Sequence, residues 1–150
     1  MDTAAILAAA QSHAAALGWF DRVAGFEPKN APGPGVSVAY WVDTLRPIPA
    51  RSGLAATSAR LVLSARVYAH LDGDKDARAD LDVVRAVDAL IASYTAGYTL
   101  GGLVALVDVL GQHGDPLAAR FGYLNQDGTE FRVAVVTIPL IVNDAWAHAS

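Results

Sequence analysis

The stretch HLDGDKDARADLD, residues 70–82, packs five aspartates (Asp72, Asp74, Asp76, Asp80 and Asp82) into eleven positions. Carboxylates at alternate positions are what a hard cation needs, because calcium takes roughly six to eight oxygen ligands. A calcium-binding loop starting at Asp72 would place Asp74 and Asp76 correctly. It would then require a glycine and a glutamate where the chain has Ala77 and Val83. Starting at Asp74 is worse, since Arg78 falls on an oxygen-donor position. A simpler chemistry accommodates the same residues. Asp72-Gly73 closes a strand, Asp74 or Asp76 caps the next helix, and the remaining aspartates lie near the positive end of its dipole. The cluster reads as a helix start.

The other reactive side chains do not converge. His13, His70, His113 and His148 are far apart and show no HxxxH or HExxH spacing. The chain has no cysteine, which excludes disulfides, thiol nucleophiles and cysteine-ligated zinc. No G-x-S-x-G turn is present, and the glycine-rich stretches GPG and GYTLGG lack the lysine of a phosphate-binding loop. Tyr94, Thr95, Tyr98 and Thr99 could line a small pocket, and a small-molecule-binding site or cryptic enzyme would be built around Tyr94, Tyr98 and His70. Aromatics at helical spacing more often pack a sheet. Trp19, Trp41 and Trp146 read as packing anchors, one of which could sit in an interface. No residue is assigned a catalytic, cofactor-binding or metal-ligating role, and the chain is expected not to be an enzyme.

Composition sets the frame for this. A chain of 150 residues is the size of one domain, taken here as residues 1–150. With 53% hydrophobic and 17% charged residues it is expected to be folded over most of its length, with apolar surface left for a partner. A net charge of −4, with lysine only at Lys29 and Lys75 and the nine arginines scattered, argues against a nucleic-acid binder that grips phosphates. An acidic protein can still surround DNA without holding it. The alanine-rich start has no basic region, and Gln11, Ser12 and His13 interrupt its apolar run. No stretch reaches the roughly 18 to 20 apolar residues of a membrane span, so the chain is expected to be soluble and not exported.

The elements that must carry these residues follow from periodicity. Ile6, Leu7, Ala10, Ala14 and Leu17 predict a helix over 2–17, begun by Asp2 or Thr3 and ended by Gly18. WFDRVAGFEPKN holds a short strand ended by Pro28, and NAPGPG is a loop. Residues 36–46 alternate, with Val36, Val38, Tyr40 and Val42 on one face. Residues 47–57, with two prolines and a glycine, are expected to be a long loop and a candidate contact arm. A strand over 58–71 points Leu61, Leu63, Ala65, Val67 and Leu71 inward and Arg60, Ser64, Arg66 and His70 outward. A second helix from about 77 to 96 carries the stripe Leu81, Val84, Val87, Ile91, Tyr94 and Tyr98. Strands over 103–111, 118–125 and 130–144 complete the chain. Gln126-Asp127-Gly128 is a tight turn between the last two, and Pro139 is expected at a bulge or an edge. The class is α+β: a mostly antiparallel sheet of about five to six strands with two helices packed on one face.

The order helix–three strands–helix–three strands resembles the tail terminator (tail-completion) proteins of long-tailed bacteriophages. Three stretches carry the resemblance: AGFEPKNAPGPGVSVAYWVDTLRPIPARSGL, ARLVLSARVYAHLDGD and GYLNQDGTEFRVAVVTIPLIVNDAW. They are similar to terminator-like proteins of phages infecting high-GC actinobacteria. The resemblance implies a structural protein of the virion tail and neck, assembled in the host cytoplasm. It implies a homo-oligomeric, hexameric ring that caps the tail tube, ends its elongation and offers a docking surface to the head–tail connector. DNA would pass through the lumen without specific binding, and no cofactor or membrane is involved. The family has no catalytic motif to carry over. Arg46, Arg51, Leu54 and Trp146 are interface candidates from loop position and side-chain type alone. The alternatives are another neck or tail-tube component such as a head–tail joining protein, a small-molecule-binding α+β domain, and a monomeric adaptor that binds through a sheet edge.

Overall fold

Alanine has the highest helix propensity, and the run from Thr3 to Leu17 forms the first helix, α1. The computed structural model describes residues 1–27, 33, 35–71 and 76–149. The Asp2 carboxylate accepts the Ala5 amide at 3.0 Å, and Gly18 ends the helix. Ile6, Ala10 and Ala14 are its buried stripe; small residues there let α1 lie close to its neighbours.

Six strands follow in one sheet: β1 (Arg22–Ala24), β2 (Val36–Ile48), β3 (Ala56–His70), β4 (Leu106–Val107), β5 (Ala118–Gln126) and β6 (Thr129–Ala147). The second helix, α2 (Asp76–Ala96), lies between β3 and β4 in the chain. Strand order is β1-β2-β3-β6, with β5 and β4 sharing the far edge of β6. Only β1–β2 is parallel; every other pairing is antiparallel. The expected class and element order hold. Asp72, Asp74 and Pro28, and most of NAPGPG, lie outside the described residues; α2 begins at Asp76.

Both helices pack on one face of the sheet. Ile6, Ala10, Val83, Leu90 and Tyr94 join Val38, Tyr40, Leu61, Leu63, Ala65, Val67 and the β6 set Ala134, Val136, Ile138 and Leu140 in one core. The inward set expected for β3 is correct, with Ala69 added and Leu71 just past the strand end. The stripe expected for α2 is half correct: Val87 and Tyr94 are buried and Ile91 packs against the core. Its buried stripe is Ala79, Val83, Ala86, Val87, Leu90 and Tyr94, whereas Leu81, Val84 and Tyr98 are exposed. Two apolar stripes compete on this helix, and only the position of the sheet selects one of them.

Pro47 also departs from expectation. β2 continues through Pro47 and Ile48, so the predicted loop shrinks to a short 3-10 turn, Pro49–Arg51, and the residues up to Ala55. Among the described residues β2 has only β3 beside it there, and an edge strand tolerates a missing donor. Pro139 causes no register shift against β3, where it faces Val62. Its carbonyl accepts the Asp108 amide on the other side, at the junction where β5 ends (opposite Thr137) and β4 begins (opposite Leu140). A missing N–H costs no strand ladder bond at such a break. The expected strand over 103–111 is reduced to Leu106–Val107, because the chain turns away at Asp108. The Gln126–Thr129 turn forms as expected, with Asp127 and Gly128 at φ 53° and 76°, the backbone of a two-residue hairpin.

A register shift between Val42 and Thr44 makes Asp43 the extra residue of a β-bulge. The alternation of β2 breaks there, so Val42, expected to face inward, is exposed.

Candidate functional site

The second face of the sheet was expected to be polar and outward. Arg60 and Ser64 are instead buried there, with Val62, Tyr68, Phe131 and Ile141. A small apolar cluster of Ala39, Tyr68, Phe131 and Val133 fills one end, where Phe131 meets Tyr68 and His70 edge-on at 6.0 and 5.6 Å. His70 is therefore across the sheet from Tyr94, and the two do not share a site.

The loop after β4 closes over the other end of this face. Asp108, 2% exposed, accepts the Gln112 and His113 amides at 2.8 and 2.9 Å and stands 3.9 Å from Arg60 Nε. Arg60 donates from Nη2 to the Asp115 carbonyl, and Arg46 donates to the His113 carbonyl at 2.7 Å. Gly111 holds φ 73°, and a Cβ there would lie 2.6 Å from the Gly114 carbonyl, so the turn requires glycine. Between this loop and the sheet runs an open groove of about 580 Å³, lined among others by Asp43, Ser64, Asp115, Arg120 and Thr137.

The end of the β2–β3 hairpin projects as an arm. It contains all four interface candidates, Arg46, Arg51, Leu54 and Trp146, or lies beside them, and it is built rather than loose. Ser58, fully buried, donates to the Arg51 carbonyl at 2.6 Å and accepts the Asp144 amide at 3.0 Å. Ser52 Oγ donates to the Ile48 carbonyl and accepts the Ser58 amide. Arg51 Nε donates to Asn143 Oδ1 at 2.8 Å. β6 reaches alongside, pairing Thr57 with Trp146 and Ala56 with Ala147.

His148 completes the staple. Its amide donates to the Ala55 carbonyl at 2.8 Å, its Nδ1–H donates to the Leu54 carbonyl at 2.8 Å, and Nε2 is 2.6 Å from Thr57 Oγ1. Nothing local in the sequence marks this role, since the partners are more than ninety residues away. Arg46 and Arg51 thus have partners within the chain, while Leu54 is 99% exposed and Trp146 is 38% exposed.

A second cavity, about 310 Å³, opens beyond the end of α2 between Thr95 and Tyr98 and the segment Leu106–Gln112. Of the four residues expected to line a pocket, Tyr94 belongs instead to the core. Its hydroxyl donates to the Ala10 carbonyl at 2.7 Å and lies 2.6 Å from that of Tyr40. Burial pushes both phenols far above the ordinary tyrosine range. Trp41 stacks under Arg66 at 5.1 Å, in keeping with a packing anchor.

His13 stacks on Tyr94, with ring centroids 5.1 Å apart, and its Nδ1 is 2.7 Å from Ser93 Oγ. The pair ties α1 to α2. Burial lowers the His13 pKa below its ordinary 6.5. The unfolded chain then takes up a proton first as pH falls, so this stability contribution is present above about pH 6.5 and is lost on descending toward the lower folded value. The urea midpoint is expected to fall between about pH 7.5 and 5.5, and to fall less in His13→Gln. Superimposable pH profiles for the two proteins would contradict the assignment.

Of the aspartate cluster, Asp80 has a structural partner: Arg132 Nε donates to it at 2.6 Å and lies over the Tyr123 ring at 4.6 Å. Among the described residues no group of three or more His, Asp or Glu is placed to hold a metal, and no helix is long and apolar enough to cross a membrane. Comparison with the models of known protein families and with curated proteins finds no match to this chain.

Proposed function

We propose that this chain is a structural subunit that closes into a hexameric ring, as a terminator capping a phage tail tube and receiving the head connector. One observation carries the reading. Among the described residues the sheet ends in unlike edges, β1 and the rest of β2 at one end and β5 with the short β4 at the other, none of which has a further strand beside it. Unlike surfaces at opposite ends favour head-to-tail association, which closes into a ring when the rotation permits. A sheet edge of this kind is a ready template for another strand.

The rest of the molecule is consistent with assembly. The arm is braced by hydrogen bonds that serve no packing in the main core, and its tip presents an exposed leucine. A net charge of −4 gives a ring little grip on phosphates, which suits a passage for DNA. In this reading the protein performs no chemistry, and its partners are its own copies, the tube protein and the connector.

The test is the native mass of the purified protein together with negative-stain images of the same sample. Six-fold rings with an opening wide enough for duplex DNA are expected. Open-ended tubes would replace the terminator with a tube subunit. A monomer that also failed to cap tubes grown from the tail-tube protein encoded beside it would overturn the reading.

A further inference from the structure

The groove on the sheet face without helices is lined by polar groups that the chain itself leaves unused. Its floor is a row across the sheet: Ser64 on β3 pairs with Thr137 on β6, and Thr137 pairs with Ala118 on β5. Arg120, two residues along β5 and opposite Val135, lies diagonal to Thr137. Asp43, the extra residue of the β2 bulge, lines the other side, and Asp115 comes from the loop that closes over this face. Bulges re-aim side chains in this way beside binding sites.

Ser64 is the telling residue. It is 7% exposed, and among the described residues its hydroxyl has no hydrogen-bond partner, although buried polar groups are ordinarily paired. The Thr137 hydroxyl has none either, and neither Asp43 nor Arg120 has an ion-pair or hydrogen-bond partner among the described residues. Asp115 differs, since its carboxylate favours the charge of the nearby Arg60 guanidinium. The groove thus offers one open anion and one open cation, with two hydroxyls between them. Its volume of about 580 Å³ is that of a small-molecule site.

Charge selects among ligands. A phosphate would meet Arg120 and the hydroxyls but also two carboxylates, and like charges brought together are costly. A polyamine would meet Asp43 but also Arg120. A neutral sugar would leave both ions without a counter-charge. A zwitterion answers all of these groups. Asp43 and Arg120 stand on strands three spacings apart in the order β2-β3-β6-β5, about 14 Å of sheet at roughly 4.8 Å each. An α-amino acid carries both charges on one carbon and is too short to join them. An extended dipeptide spans about 7 Å, which suits the gap that remains when both side chains reach inward.

We propose that this groove binds a short zwitterion of dipeptide size, its carboxylate at Arg120 and Thr137 and its ammonium at Asp43, above Ser64. The groove lies within one chain, so the site does not depend on the ring.

Isothermal titration of the purified protein with dialanine is the test, beside N-acetyl-dialanine, dialanine amide and glucose. Dialanine is expected to bind saturably. Capping either end is expected to weaken binding about tenfold or more, the worth of a hydrogen bond to a charged group. Arg120→Met is expected to weaken dialanine by the same factor and to bind the amide as well as the free acid. Asp43→Asn is expected to do the same for the acetylated form. Both positions are exposed, so the fold survives, as circular dichroism will verify. Arg78→Met, on the exposed side of α2, is expected to bind dialanine unchanged. No saturation by about 10 mM dialanine would overturn the site. So would equal binding of the three peptide forms, or binding that Arg120→Met and Asp43→Asn leave untouched. Glucose bound in preference to dialanine would overturn the zwitterion and make the groove a polyol site.

Discussion

Asp108→Ala is expected to destabilise the protein by about 3 to 5 kcal/mol, the cost of breaking a buried charge pair by removing one partner. Asp108 and Arg60 are 2% and 4% exposed; among the described residues Arg60 Nε has no hydrogen-bond partner, Nη2 has only a neutral carbonyl, that of Asp115, and Asp108 is the carboxylate in ion-pair range of the guanidinium. Desolvation lowers the Arg60 pKa and the Asp108 charge opposes that shift. The same substitution strips the acceptor from the Gln112 and His113 amides. Since a domain of this size has only about 5 to 15 kcal/mol of net stability, the loss is a large share of the whole.

The cost is expected to depend on Arg60. In an Arg60→Met background no buried cation is stranded, and Asp108→Ala should cost only the two amide contacts, about 1 to 3 kcal/mol. Urea denaturation of the four proteins of the cycle gives the coupling energy directly. A coupling below about 0.5 kcal/mol would mean that the pair acts as two independent loop anchors.

Phe131→Ala is the other large expected effect, a loss of about 3 to 5 kcal/mol. Phe131 is fully buried on the face without helices, against Tyr68 and His70 and near Ala39 and Val133. If that face were the solvent side of a half-buried sheet, the substitution would cost less than about 1 kcal/mol. Leu63→Ala on the helix face, expected at about 2 to 5 kcal/mol, is the internal standard. A Phe131→Ala midpoint indistinguishable from that of the unaltered protein would show that the second face contributes no core. Similar losses at the two positions would show that the sheet is stabilised from both sides.

The elements that the sequence made legible are those whose signals are local. α1 is announced by its alanines, its Asp2 cap and Gly18. β3 has an apolar residue at every second position from Leu61 to Ala69, and Gln126-Asp127-Gly128 specifies a hairpin. The aspartate run was read as a helix start, and α2 does begin at Asp76. Local chemistry was enough for each of these, because a cap, an alternation or a turn is completed within a few residues.

The misses share a cause. Leu81 and Val84 mark one apolar stripe on α2 and Val83, Ala86 and Leu90 another; the sheet beneath the helix decides between them. Pro47 looks like a breaker until it is known that β2 lies on an edge there. Arg60 reads as a solvent-facing residue until Asp108 and the loop to Pro116 close over it. His148 gains its role only when the last strand runs beside the arm. By itself, then, the sequence determined the element types, their order, the α+β class and the inward face of β3, since periodicity and capping act over one or two turns of chain. Only the tertiary structure decided which helix stripe is buried, that residues on both sheet faces are buried, and that Leu54 is held out on a stapled arm. Those outcomes depend on contacts between residues up to ninety or more positions apart, and no local pattern encodes which distant partner will be there.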